Sequence, residues 1–143
     1  MELSLAQHVL AEQPFSQLIG ARLTAFDEGT ATLEIDIEEH HRNQQRYVHG
    51  GVLSYAADNV LTFAAGTVLG PGILTRGLTI DYVLPAREGT LRATGTVTHH
   101  TARQAVCSAT LEMVGPAGAA VCAVAMGTAV LVRREDWGAR HGS

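Results

Sequence analysis

Asp58 falls eight residues beyond a Gly50-Gly51 pair, in a stretch from Asn43 to Gly66 (NQQRYVHGGVLSYAADNVLTFAAG) that opens polar and turns almost wholly apolar. A carboxylate in apolar surroundings is costly unless it is paired, hydrogen-bonded or kept neutral. Two glycines allow close backbone approach, and the first N–H groups of a helix lack internal partners and carry partial positive charge. Gly50 and Gly51 therefore offer bare donors to an oxygen, either a carbonyl becoming an oxyanion or a phosphate. Ser54, Asp58 and Thr62 recur every fourth residue and form one polar line on the helix. Acyl transfer needs an acid–base group and an oxyanion donor, and this stretch holds a candidate for each. The other reading stays open at this point: glycines that permit tight helix–sheet packing, and a satisfied core carboxylate.

The elements that must position these groups follow from periodicity. Apolar residues cover nearly every face of the helix expected from about Gly50 to Val68, which predicts a helix enclosed by the rest of the fold. Gly70-Pro71-Gly72 stops it. Before it, residues 3 to 12 read as a short amphipathic helix ended by Pro14, with Phe15, Leu18 and Ile19 expected to cap one end of the core. Strands are expected over Ala21–Phe26 and Thr30–Ile37, the second with Leu33, Ile35 and Ile37 facing in, and His40 to Val48 reads as a loop. Four strands follow the helix: Ile73–Leu84, Thr90–His100, Arg103–Val114 and Ala119–Val132, joined by short turns that make neighbours antiparallel. The near-continuous apolar run of the last suits a strand covered on both faces. One long apolar helix among six antiparallel strands implies an α+β fold with a curved sheet wrapped around that helix. Residues 1–133 form one expected domain, and 134–143 a polar tail.

Composition narrows the function classes. The chain has 143 residues, 46% hydrophobic and 17% charged, and a formal net charge of −4. That is globular, with no basic run and no support for a nucleic-acid partner; Arg133-Arg134 is only a pair at a strand end. No apolar run of membrane-spanning length is free of Gly, Thr or charge, and the N-terminus lacks a cationic leader, so no membrane association is expected. The hairpin turning at Gly115 to Gly118 pairs residues whose numbers sum to about 233, whereas Cys107 and Cys122 sum to 229. The two are offset along the ladder, so free thiols and a reducing cytoplasm are expected. Seven histidines invite a metal reading, but His99 and His100 are neighbours in a strand and point to opposite faces, and no zinc-like spacing is present. Neither a metal nor another cofactor is expected.

This architecture, with these residues, resembles the hotdog-fold acyl-CoA thioesterases, most closely the phenylacetate-degradation and small mammalian thioesterase branch. The resemblance runs through Pro14-Phe15 to Leu18-Ile19-Gly20, Asn43 to Thr62, Thr75 to Pro85 and Gly127-Thr128. Its core is an Asn six residues before His-Gly-Gly and an Asp nine residues after that His. It implies that Asp58 is the catalytic carboxylate, acting as general base on water or as nucleophile. It also implies that the Gly50 N–H polarises the thioester carbonyl, that Asn43 holds the water or the thioester end, that His49 positions, and that Thr75 orients the water. The resemblance also implies that Gly51 and Thr62 lie where substrate binds. Arg46 departs from the pattern, in which Gly is common, and stands to narrow the pocket mouth or reach a phosphate of coenzyme A. Leu53, Leu61 and Phe63 are candidates for the acyl pocket. The family joins sheets edge to edge, with Asp58 and the Gly50 region of one site coming from different subunits. That implies a homodimer or a homotetramer built as a dimer of dimers, with Thr75 to Tyr82 as the joining edge.

Two rival functions share this architecture. A non-catalytic acyl-CoA binder is favoured by an attached second domain or by loss of the helix carboxylate, and Asp58 is present. A dehydratase or hydratase carries a His and an acid in other motifs, which this sequence lacks. Ser54 has no triad partner and reads as a structural hydroxyl, while Tyr55 and Tyr82 read as core or interface aromatics.

Overall fold

The computed structural model describes residues 2–132. The 134–143 tail and the Arg133-Arg134 pair lie outside them. Helix α1 (Leu3–Ala11) and helix α2 (Pro14–Ile19) precede strands β1 (Ala21–Asp27) and β2 (Thr30–Asp36). A 3-10 turn (Glu39–His41) leads into helix α3 (Gly50–Leu69), followed by β3 (Ile73–Tyr82), β4 (Thr90–His100), β5 (Gln104–Gly115) and β6 (Gly118–Leu131). The strands form one antiparallel sheet in the order β1-β2-β4-β5-β6-β3, curved around α3, which is the expected hotdog arrangement. β1 and β3 are its edges.

Small residues set the distance between helix and sheet. Ala56, Ala57, Ala64 and Ala65 of α3 are buried, and Ala31, Ala93, Ala105, Ala109 and Ala123 face them from the strands. Gly95 of β4 is the closest approach: a Cβ there would stand 2.8 Å from the Val60 carbonyl oxygen. By length and composition α3 could cross a bilayer, but in this fold its apolar residues serve as core.

Four expectations are corrected. Pro14 does end α1, but it also starts α2 from the first helical position, where a missing N–H costs nothing. On α2, Phe15 (57% exposed) and Leu18 (70%) point outward instead of capping the core, and Ser16 is the residue that is buried. The helix α3 is not enclosed on all sides: Ser54, Tyr55, Asp58, Asn59 and Thr62 are only half-buried, because only edge strand β3 and the short α2 with Gln13 lie beside that stripe. Finally, β6 is interior to the sheet but covered on one face only. Val121, Val124 and Met126 are exposed on the other, beside an outer concavity of about 840 Å³ lined by Arg76, Asp81, Val106 and Val124. Asp58 does not line that outer concavity.

The hairpin offset of the cysteines holds. Val114 pairs with Ala119 and Cys107 with Gly127, so Cys107 and Cys122 are free and buried. Burial pushes both thiols up to about 11. A raised thiol keeps its proton through neutral pH, so little reactive thiolate exists below that value. Thiol-reactive dye at pH 8 is therefore expected to label neither cysteine in the native protein and both on unfolding. Gly95→Ala is expected to lower stability by about 1–3 kcal/mol in chemical denaturation, because the added methyl forces α3 off the sheet.

Candidate active site

Asp58 and Thr75 meet on the open side of α3. Asp58 is half-buried, and the Thr75 hydroxyl donates to its Oδ1. Thr62 Oγ1 lies 2.9 Å from the Asp58 backbone oxygen and 2.9 Å from Thr75 Oγ1. The helical four-residue repeat thus brings Thr62 under Asp58, and β3 adds Thr75. Asp58 Oδ2 has no partner among the described residues, so it is left to accept from solvent or a ligand. The pair opens on a cleft of about 400 Å³ that also presents Phe15, Tyr55, Asn59, Ile73 and Leu74.

A β-bulge lets one strand serve the whole helix. Pairing with β6 shifts between Thr75 and Gly77. Before it Ile73 and Thr75 turn toward α3, and after it Leu78 and Ile80 do. Tyr82 follows the second parity and reaches the start of α3: its hydroxyl is 2.8 Å from Ser54 Oγ and donates to the Gly50 carbonyl at 3.2 Å. Ser54 is therefore bound into this clamp.

At that end the two glycine amides differ. The His49 Nδ1 accepts from the Gly51 N–H at 2.8 Å, so His49 caps the helix with its own ring and Gly51 is not a bare donor. The Gly50 N–H has no acceptor among the described residues. Gly50 and Asp58 are eight residues apart on one straight helix, about 12 Å along its axis. One carbonyl cannot touch both within a single chain.

The Asn43 loop is self-supporting. Asn43 Oδ1 accepts from the Gln45 and Tyr47 N–H groups at 3.0 and 3.1 Å, leaving its amide NH2 without a partner among the described residues. Arg46 has φ +73°, the left-handed backbone that suits glycine. The loop thus keeps the shape that a Gly would favour, and the Arg46 side chain turns to Glu39, with Nη2 2.6 Å from Oε2. The Arg46 guanidinium holds the exposed Glu39 carboxyl below its usual range.

Sequence reasoning missed a second polar cluster beside Asp58. Tyr55 OH donates to the buried Ser16 Oγ at 2.6 Å, Ser16 donates to Gln13 Oε1 at 2.6 Å, and Asn59 Nδ2 donates to Tyr55 OH at 2.9 Å. Burial pushes the Tyr55 phenol up, opposed by its bonds to Ser16 and Asn59, and the Asp58 charge pushes it further up. Tyr55 is therefore a neutral donor, not a base. Its spacing to Asn59 was a usable signal, since the two widen the Ser54–Asp58–Thr62 line; Gln13 and Ser16 gave none. His41 was also missed: it is buried, its Nδ1 accepts from the Glu38 N–H at 2.9 Å, and Nε2 lies 2.7 Å from the Ile19 carbonyl. Of the acyl-pocket candidates, Phe63 lines a hollow beside this site, whereas Leu53 and Leu61 are buried in the core. Among the described residues no three His, Cys, Asp or Glu side chains converge on a metal-sized site.

The thioesterase superfamily family model matches residues 45–116, which span α3, β3, β4 and β5. The chain belongs to the thioesterase superfamily. Solved structures share the fold. A thioesterase family protein from Silicibacter pomeroyi superposes with TM-score 0.82 at 20% identity, over 86% of this chain and 92% of that one. The E. coli PaaI protein from the phenylacetic acid degradation operon gives 0.79 at 23% identity, over 92% and 97%. Zebrafish thioesterase superfamily member 2 gives 0.79 at 20% identity, over 92% and 99%. A sequence search of curated proteins returns no match.

Left-handed backbone costs a non-glycine residue roughly 1–2 kcal/mol. Arg46→Gly is accordingly expected to be at least as stable as the parent in urea unfolding, while Arg46→Val, β-branched at positive φ, is expected to lose about 1–2 kcal/mol.

Proposed function

We propose that this protein hydrolyses acyl-CoA thioesters, with aromatic or medium to long acyl groups as the class. The observation that carries the reading is a carboxylate, Asp58, held by Thr75 at one oxygen and open at the other, on a helix whose first amide, that of Gly50, is unspent. In this reading Asp58 Oδ2 takes a proton from water, the water oxygen bonds to the thioester carbon, and the Gly50 N–H stabilises the oxyanion. The C–S bond then breaks, the thiolate leaves as coenzyme A and is protonated, and the acid is released. Attack by Asp58 itself, forming an anhydride that water then opens, uses the same groups. The free NH2 of Asn43 suits the water or the thioester end. His49 positions through its cap on Gly51, and Gly51 and Thr62 flank the substrate. Arg46 would bind a coenzyme A phosphate by exchanging it for Glu39.

The 12 Å separation along α3 supports a site shared between two copies, Asp58 from one and Gly50 from the other. The open edge of β3, over Thr75 to Tyr82, suits the join, and a homodimer or a dimer of dimers follows from it. The binder reading is favoured by no specific observation.

Two variants test both the chemistry and the sharing. Asp58→Asn is expected to cut thiol release about 10²–10⁴-fold while the fold is retained. Gly50 is the first helical residue and His49 before it has ψ 135°, so Gly50→Pro removes one N–H at a position that tolerates proline. It is expected to cost about 10²–10³ in kcat. Mixed and re-equilibrated, the two inactive variants are expected to regain about a quarter of parental activity, since half the dimers then hold one intact site. No recovery on mixing would confine the site to one chain, full activity of Asp58→Asn would remove Asp58 from the chemistry, and a parent that releases no thiol would end the hydrolase reading.

A further inference from the structure

A second hollow of about 200 Å³ lies beside the Asp58 cleft, and the two share Gln13, Asn59, Thr62 and Ile73 as walls. The far wall of this inner lobe is apolar: Val9, Phe26, Phe63 and the bare backbone of Gly66. Phe26 and Phe63 meet edge to face, with centroids 6.4 Å apart and planes at 85°. The path from Asp58 thus runs from carboxylate and hydroxyls, past the Gln13 and Asn59 amides, to hydrocarbon.

Gly66 is anomalous on this wall. It lies within α3, where glycine is among the poorest residues, second only to proline. Its backbone is not left-handed, so no conformation demands glycine. Nor does packing: an added Cβ meets nothing within 4 Å, whereas at Gly95 and Gly127 it would stand 2.8 and 2.7 Å from a carbonyl oxygen. What remains is the space itself. A helical glycine that neither conformation nor packing requires, facing a hollow that shares its walls with the Asp58 cleft, leaves room for a ligand.

We propose that Gly66 is a specificity-determining position, whose missing side chain keeps the inner lobe deep enough to seat the apolar end of the acyl group. The identity of the ligand rests on the thioester-hydrolase reading above. A hollow of about 150 Å³ holds one benzene, so this lobe suits a compact terminus, a single ring or a short chain, and a longer chain would have to leave it.

The test substitutes Gly66→Ala and Gly66→Leu and reads the ratio of kcat/KM for hexanoyl-CoA and benzoyl-CoA to that for acetyl-CoA, with melting temperature alongside. Gly66→Ala is expected to melt at the parental temperature or about 2–4 °C higher, having gained helix propensity. Gly66→Leu is expected to lower both ratios about tenfold or more, the discrimination that a few methylenes carry in an apolar pocket. An unchanged ratio in Gly66→Leu, with the parent active, would overturn the proposal and leave the hydrolase reading standing. If the parent turns over no thioester, calorimetric binding of hexanoyl-CoA and acetyl-CoA replaces the rates. Loss of the hexanoyl preference in Gly66→Leu would then uphold the lobe while the hydrolase reading falls, and its retention would overturn the lobe as well.

Discussion

The packing of α3 against the concave face of the sheet constrains everything else in this fold. Alanines on both surfaces and Gly95 bring helix and sheet into backbone contact, so the rotation of α3 about its axis is fixed by close packing on one side. The opposite side is then fixed too. It carries the one line of polar residues the helix possesses, and the sheet reaches that line only with its edge strand. Asp58 is neither fully buried, where its charge would be prohibitive, nor fully solvated, where a fixed geometry would be hard to hold. Thr75 supplies the donor that makes the intermediate position tolerable.

The same rotation divides the helix into two working ends. At its start, Tyr82, Ser54 and the His49 cap hold the first turn, and of the two glycine amides only that of Gly50 stays unspent. Two turns on, Asp58 faces a cleft whose polar mouth grades into hydrocarbon. Both ends are placed by one rigid element, which is a more precise arrangement than loops give. The distance between them is set by helical rise alone, and no side-chain motion shortens it.

Much of this was legible in the sequence because the signals were local. The β4 limits at Thr90 and His100, the Gly-Pro-Gly stop after α3 and the offset of the two cysteines follow from alternation and turn chemistry, which act over a few residues. The Thr62–Asp58 relation is a helical repeat, and that too is local. What escaped depends on distance in space. The apolar run of β6 reads the same whether one face or two are covered. The outward turn of Phe15 and Leu18 depends on how α2 sits, not on its composition. The bond from Tyr55 to Ser16 spans 39 positions and leaves no trace in spacing. Arg46 lies between these cases: its left-handed backbone shows in the sequence only as a departure from the glycine that the family resemblance implies at that position.

Arg76 has little to do by its own contacts, touching Gln104 at 3.2 Å from an exposed position. Its place in the chain matters more than its side chain. As the extra residue of the bulge, it reverses the in–out alternation of β3 midway. The first half can then send Thr75 to Asp58 and the second half can send Tyr82 to Gly50 and Ser54. A chain one residue shorter at this point would keep one of those alignments and turn the other to solvent. A single in-frame deletion there would break one of the two alignments: the strand's length, more than the residue at position 76, is what heredity must preserve.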